Sequence, residues 1–306
     1  MIAFVLSGGG SRGALEVGAL LALFERGIRP QILVGSSAGA MNAAFIATDP
    51  TLEGAQRLDA LWRFVKQGDI FPGSSLSLQL TAAWRFVCGY DGLFPSDRVR
   101  RFVERYLPED VRHFSDITKV KLYLTAADLN WGILYLWGEK PEGEIVDAVM
   151  ASTAHPAYFP PLLLAGHQLV DGAVVANVPI SIAAAKGATE VYAVNVGYAG
   201  QEIPRSRGVF NIVNRAISTM MYQQLLDDLM ECAGKVILHH VVFEAFAGLS
   251  VWDLSKSGEM IEEGRRVMRE YLEKPVWERV TVPILPGREG APEPPPGAVV
   301  WRWTRM

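Results

Sequence analysis

The sequence predicts an α/β fold: a mostly parallel sheet with helices on both faces. Three observations carry this. Short apolar, strand-like runs alternate with helical stretches along the chain, the order that builds parallel strands. Each of the first two strand-like runs leads through a glycine turn into a helix, at Gly8–Gly13 and at Gly35–Gly39. Half of the 306 residues are hydrophobic, enough to bury a large core.

In order, Ala3–Leu6 reads as a buried strand and Ala14–Arg26 as a helix. Ile32–Val34 is a second strand, and Ala40–Thr48 the helix after it. Leu52–Val65 is helical, with Leu58, Leu61, Trp62 and Val65 on one face. Gly68–Phe94 breaks the pattern, being rich in Gly, Ser and aromatic residues. Val99–Tyr106 is helical, with Ser96 or Asp97 as its cap. Lys119–Ala127 and Gly132–Trp137 read as strands of a hairpin across "DLNWG". Ile145–Ser152 is a short helix stopped before Pro156, and Gln168–Val170 a strand ending at Asp171. Helices at Ile180–Lys186, Phe210–Ala233 and Gly258–Leu272 and strands at Glu190–Val196 and Lys235–Phe243 complete the body. Pro283–Gly297 reads as a linker to a short end bearing Trp301 and Trp303. The expected division is a catalytic domain over residues 1–282 and a Pro-rich extension over 283–306.

Composition excludes several classes. No stretch reaches the ~18 apolar residues of a spanning helix. Met1–Leu6 lacks the basic start of a signal peptide, so a cytoplasmic protein is expected. Cys88 and Cys232 are too few for a disulfide framework or a zinc site, and both are expected to be buried. A net charge of −4 offers no basic field for nucleic acid. No metal or other cofactor is expected.

Gly8, Gly10 and Gly13 fit G-x-G-x-x-G, which raises three readings. A phosphate-binding P-loop needs Lys and Ser/Thr where Ala14 and Leu15 stand. A dinucleotide site needs an acid at the end of the second strand, where Gly35-Ser36-Ser37 stands instead. The third reading takes both turns together. Gly35-Ser36-Ser37-Ala38-Gly39 is G-x-S-x-G, a sharp turn that lifts Ser37 above the sheet and puts a helix N-terminus beside it. If the two strands are neighbours, bare N–H groups of the first turn lie beside Ser37. They would then serve a carbonyl oxygen that becomes negative during acyl transfer.

Serine needs a base. Of five histidines, His239 and His240 come last in the chain, as in an α/β-hydrolase triad, but both sit inside the apolar run "KVILHHVVFE". Asp171 ends a strand beside Gly172 and could approach another loop, or could simply cap a turn. Spacing alone leaves that open.

These residues resemble the patatin-like phospholipases, serine lipid acyl hydrolases. Gly8-Gly9-Gly10-Ser11-Arg12-Gly13 is similar to the family's G-G-G-x-R-G, Gly35–Gly39 to its G-x-S-x-G, and Asp171-Gly172-Ala173 to its D-G-[GA]. "ASTAHPAYFPP", Ala151–Pro161, resembles the segment before the aspartate, and the similarity spans Ile2 to Leu272. The resemblance implies a three-layer α/β/α sandwich and a Ser37–Asp171 dyad without histidine, working through an acyl-enzyme. It implies an oxyanion hole from Gly8, Gly9, Gly10 and Ala38, with Arg12 ordering the loop. It implies a lipid or membrane-surface substrate and a protein peripheral to the membrane. The alternatives are a triad using His239 or His240, and a non-catalytic lipid-binding protein on the same fold. His155 departs from the pattern and either lines the site or caps a turn. Leu76, Leu78, Leu80, Trp84, Phe86, Leu93 and Phe94 supply either a lid or acyl wall, or ordinary core.

Overall fold

The computed structural model describes residues 1–70, 75–197, 200 and 205–279. The linker, Trp301, Trp303 and the boundary at residue 282 lie outside the described residues, as do the side chains of Leu76 and Leu78.

The strands are β1 (Ile2–Leu6), β2 (Ile32–Gly35), β3 (Lys121–Asp128), β4 (Ile133–Trp137), β5 (Leu162–Leu164), β6 (His167–Asp171), β7 (Glu190–Asn195) and β8 (Ile237–Val242). Among the described residues they form one sheet in the order β5-β6-β3-β2-β1-β7-β8, with β4 also on β3. β1, β2, β3, β7 and β8 are parallel, and β4, β5 and β6 join antiparallel. The helices are α1 (Gly13–Glu25), α2 (Ala38–Thr48), α3 (Leu52–Phe64), α4 (Gln67–Ile70), α5 (Ser75–Val87) and α6 (Asp97–Tyr106). They continue with α7 (Ile145–Ser152), α8 (Ala173–Ala176), α9 (Ile180–Ala185), α10 (Val209–Cys232), α11 (Ser257–Glu273) and α12 (Val276–Arg279).

Alternation along the strands sorts the apolar residues into two layers. Phe4 and Leu6 of β1 join a core with α1, α2, α3, α6, α7 and α11. Ala3 and Val5 join a second core with α9 and α10. The fold is the expected three-layer α/β/α sandwich.

One edge of β3 positions the site. Leu124 has Gly35 of β2 on one side and Trp137 of β4 on the other. Ala126 has Tyr135 of β4 on one side and Asp171 of β6 on the other. β2 and β6 therefore share an edge of β3, end to end and running in opposite directions. The end of β2 and the end of β6 meet two residues apart along β3, a separation of about 7 Å.

α1 lies behind this point and is buried nearly all round, Glu16 included. It packs on α11 with almost no space between backbones. A Cβ on Gly18 would lie 2.1 Å from the Ile261 carbonyl oxygen, and one on Gly264 would lie 2.0 Å from that of Leu15. Arg265 and Arg269 of α11 pair with Glu25 at the end of α1.

Two expectations are corrected. Gly68–Phe94 is largely helical, as α4 and α5, because Ser75–Val87 has an apolar face at helical spacing despite its mixed composition. Its Leu80, Trp84 and Phe86 are exposed, not core. Cys88, at the end of that segment, is also exposed, whereas Cys232 is buried as expected. Smaller differences are a start of α2 two residues early, at Ala38, and the short β5 and α8.

Gly18→Val should lower unfolding free energy by about 3 kcal/mol, the upper end for overpacking, because backbone rather than a side-chain tip must move. Urea denaturation of the variant and the wild type checks this.

Candidate active site

The path from β2 into α2 turns so sharply that Ser37 takes φ 54° and ψ −122°, a region that side-chain-bearing residues avoid. Gly39 permits it, since a Cβ there would sit 2.4 Å from the Leu6 carbonyl oxygen. The Ser37 N–H donates to Ser152 Oγ at 2.9 Å, which ties the turn to the end of α7.

Ser37 Oγ donates to Asp171 Oδ2 at 2.6 Å. The other carboxylate oxygen accepts from the Ala173 N–H at 2.9 Å, and the Asp171 N–H donates to the Ala154 carbonyl at 3.0 Å. Asp171 is buried, and that burial raises its pKa; His155 nearby and the bonds from Ser37 and Ala173 act against the rise. The two side chains singled out from distant parts of the sequence are thus in contact.

The glycine turn lies alongside, because β1 and β2 are parallel neighbours. The N–H groups of Gly9, Gly10 and Ala38 have no acceptor among the described residues, whereas Gly8 is engaged. Its N–H donates to Asn177 Oδ1 at 3.1 Å and to the Asn177 carbonyl at 3.3 Å. Gly8 therefore lines the site but has no free donor for an oxyanion, unlike its expected role. Arg12 also lines the site. It makes no ion pair among the described residues, its Nε has no partner, and burial lowers its pKa.

These groups open onto one cavity of about 290 Å³. Much of its lining is apolar: Met41 and Phe45 from α2, Leu61 and Trp62 from α3, Val65, Ile70, and Val99 and Phe102 from α6. Polar side chains also line it, Thr153, His155, Asn214 and Ser218, among the apolar Phe159, Ile217, Met221 and Trp252. Of the segment expected as a lid or wall, Ile70 lines it, while Leu80, Trp84, Phe86, Leu93 and Phe94 do not; the side chains of Leu76 and Leu78 lie outside the described residues.

His155 lines the cavity. Its Nδ1 lies 2.9 Å from the Pro156 carbonyl oxygen and so carries a proton, and its ring meets those of Tyr158 and Trp252 edge-on. His239 and His240 are elsewhere, on β8. His239 stacks on Tyr192 with its Nδ1 2.9 Å from the Tyr271 hydroxyl. His240 Nε2 is 3.2 Å from Asn195, and burial lowers its pKa to about 4. Neither lines the cavity.

Several contributors went unread in the sequence. Ser152 lies within a noticed stretch and Asn177 four residues past Ala173, but they look like any helix-end Ser or loop Asn. Trp252 comes from a loop that accepts the Ser11 N–H at Val251, and nothing near it in sequence marks it. Among the described residues no three His, Cys, Asp or Glu side chains are grouped to hold a metal, and no helix is long and apolar enough to cross a membrane.

A family model described as Patatin-like phospholipase matches residues 4–184. The uncharacterized protein YqhO of Bacillus subtilis is 29% identical over 241 residues, 71% of this chain and 79% of that protein. Lysophospholipase NTE1 of Mycosarcoma maydis is 26% identical over 218 residues, 68% of this chain but 10% of its own length. The crystal structure of VipD from Legionella pneumophila aligns with a TM-score of 0.44 at 14% identity, covering 88% of this chain and 66% of that one. The chain thus spans most of the Bacillus protein and a small part of NTE1.

Asn177→Ala should destabilise the protein by about 1 kcal/mol, because it removes the side-chain acceptor of the buried Gly8 N–H and leaves it the longer bond to the backbone carbonyl of residue 177. Thermal and urea unfolding check this.

Proposed function

We propose a function from one premise: the chain belongs to the patatin-like phospholipase family. It is a serine hydrolase that cleaves carboxylic esters of lipids through an acyl-enzyme. The observation that carries the reading is the 2.6 Å contact between Ser37 Oγ and Asp171 Oδ2 beside a cavity with a largely apolar lining.

Asp171 takes the proton from Ser37 as Oγ attacks the ester carbonyl. The carbonyl oxygen becomes negative and is held by the free N–H groups of Gly9, Gly10 and Ala38, with the N-terminus of α2 favouring the charge. Arg12 adds positive charge at the same cavity. Asp171 returns that proton to the departing alkoxide. It then draws a proton from a water that attacks the acyl carbonyl; the bond to Ser37 Oγ breaks, the acid leaves and the proton returns to Oγ. A carboxylate base suits esters over amides because an alkoxide leaves more readily than an amine. The acyl chain occupies the wall formed by Phe45, Trp62 and Phe102. Exposed Leu80, Trp84 and Val87 of α5 give the protein a surface to rest on a lipid aggregate. We assign the activity to residues 1–282, with 283–306 as an extension.

The test is hydrolysis of a short-chain chromogenic ester and of a phospholipid. Ser37→Ala and Asp171→Asn, each folded by circular dichroism, should lower kcat by about a thousandfold or more. Undiminished ester turnover by Ser37→Ala would overturn the reading. His239→Ala and His240→Ala should leave kcat/KM within about twofold, since both residues are remote from the cavity; a loss of several orders of magnitude would favour a triad.

The pH profile gives a further expectation. Asp171 must be ionised to act as a base, and a positive charge on His155 eases that ionisation. His155→Ala should therefore move the acid limb of kcat/KM to higher pH, as read from initial rates across pH.

A further inference from the structure

Glu16 is a carboxyl to which the reaction above gives no part. It lies on α1, one turn after the glycine turn, with no exposed surface. Its Oε2 accepts from Asn42 Nδ2 at 2.8 Å, and its Oε1 has no partner among the described residues. Among the described residues no cation balances it. Arg12, four positions earlier, makes no ion pair with it. The charged residues of α11 that reach α1, Arg265 and Arg269, are engaged by Glu25. From β1 and α2 the polar neighbours are Ser7 and Asn42, neither of them charged. From α3 comes only Trp62, whose indole is turned to Asn42. A carboxylate here would be a charge with no cation beside it at a fully buried position.

Asn42 makes the site more than a filler. The same Nδ2 donates to the Gly13 carbonyl at 2.9 Å, and Oδ1 accepts from Trp62 Nε1 at 2.8 Å. One amide thus joins the end of the glycine turn, the helix that follows Ser37 and the apolar wall of the cavity.

We propose that Glu16 is a positioning residue for the oxyanion turn, held as a neutral acid, and that its ionisation at alkaline pH turns hydrolysis down. This rests on reading Gly9, Gly10 and Ala38 as the oxyanion donors. A negative charge behind those donors opposes the negative charge forming in front of them. It also reorients Asn42, and through it Gly13 and Trp62. Burial acts in the same sense, holding the Glu16 carboxyl well above the usual carboxylate range.

The folded protein then keeps a proton that the unfolded chain releases above the ordinary carboxylate pKa of about 4.3. Wild type loses stability as pH rises from there towards the folded pKa, and E16Q, with no proton to release, does not. The experiment measures Tm of wild type and E16Q from about pH 5 to about pH 9, with the alkaline limb of kcat on the chromogenic ester. The Tm of E16Q relative to wild type should climb with pH, and the alkaline fall in kcat should vanish or move by more than about one pH unit. Parallel Tm curves, or an unchanged alkaline limb in E16Q, would overturn the proposal. Should E16Q fail to fold, infrared spectroscopy of the Asp171→Asn/Asp228→Asn variant, which removes two other carboxyls whose pKa burial raises, decides: a protonated-carboxyl band at neutral pH that disappears on alkalinisation supports it, and no such band refutes it. Failure of the hydrolase reading appears separately, as turnover surviving Ser37→Ala, and the Tm and infrared measurements need no turnover.

Discussion

The structure depends on how β3 shares one of its edges. A strand edge normally serves one neighbour, but here β2 uses the first half and β6 the second, from opposite directions. Ser37 follows the last residue of β2 by two positions, and Asp171 is the last residue of β6. The hydrogen bond between them follows from that register. A slip of one residue on either strand would turn the side chains to the opposite face and part the pair. The parallel pairing of β1 with β2 then brings the glycine turn to the same end.

Around this point the chain accepts strain and leaves groups unpaired in a region that is otherwise well packed. Ser37 holds an unfavourable backbone conformation, among the described residues three N–H groups have no acceptor and Arg12 no counter-ion, and Asp171 is buried. Each is unfavourable alone. Their concentration in one cavity is what a site prepared for an incoming negative oxygen requires. Rigid surroundings keep them from relaxing: Ser152 holds the elbow, Asn177 the first glycine, and Asn42 the end of the turn.

The fold was legible because its signals are local. Alternating β and α runs, the two glycine turns and the hairpin at "DLNWG" each depend on neighbours in sequence. The contact of Ser37 with Asp171 was legible only through a family resemblance, since Asp171 by itself resembles any turn aspartate. The loss of the Gly8 donor could not be read, because Asn177 reaches it from 169 positions away. Nor could α5, where composition suggested a loop while spacing of the apolar residues made a helix. His155 was noticed as a departure, but its place beside Asp171 comes from the backbone bond at Ala154.

The packing of α1 on α11 has a consequence for how the protein is made. The glycine turn lies near residue 10, yet the helix that backs it is the last long one among the described residues, and it lies beyond the 4–184 stretch matched by the family model. Gly18 and Gly264 can meet only after nearly all of the body has left the ribosome. Closing so long a loop comes late in folding. A nascent chain therefore carries both glycine turns, Ser37 and Asp171 before it has the support that fixes them. Translation order thus makes both turns, Ser37 and Asp171 before the α1–α11 contact that backs them can form.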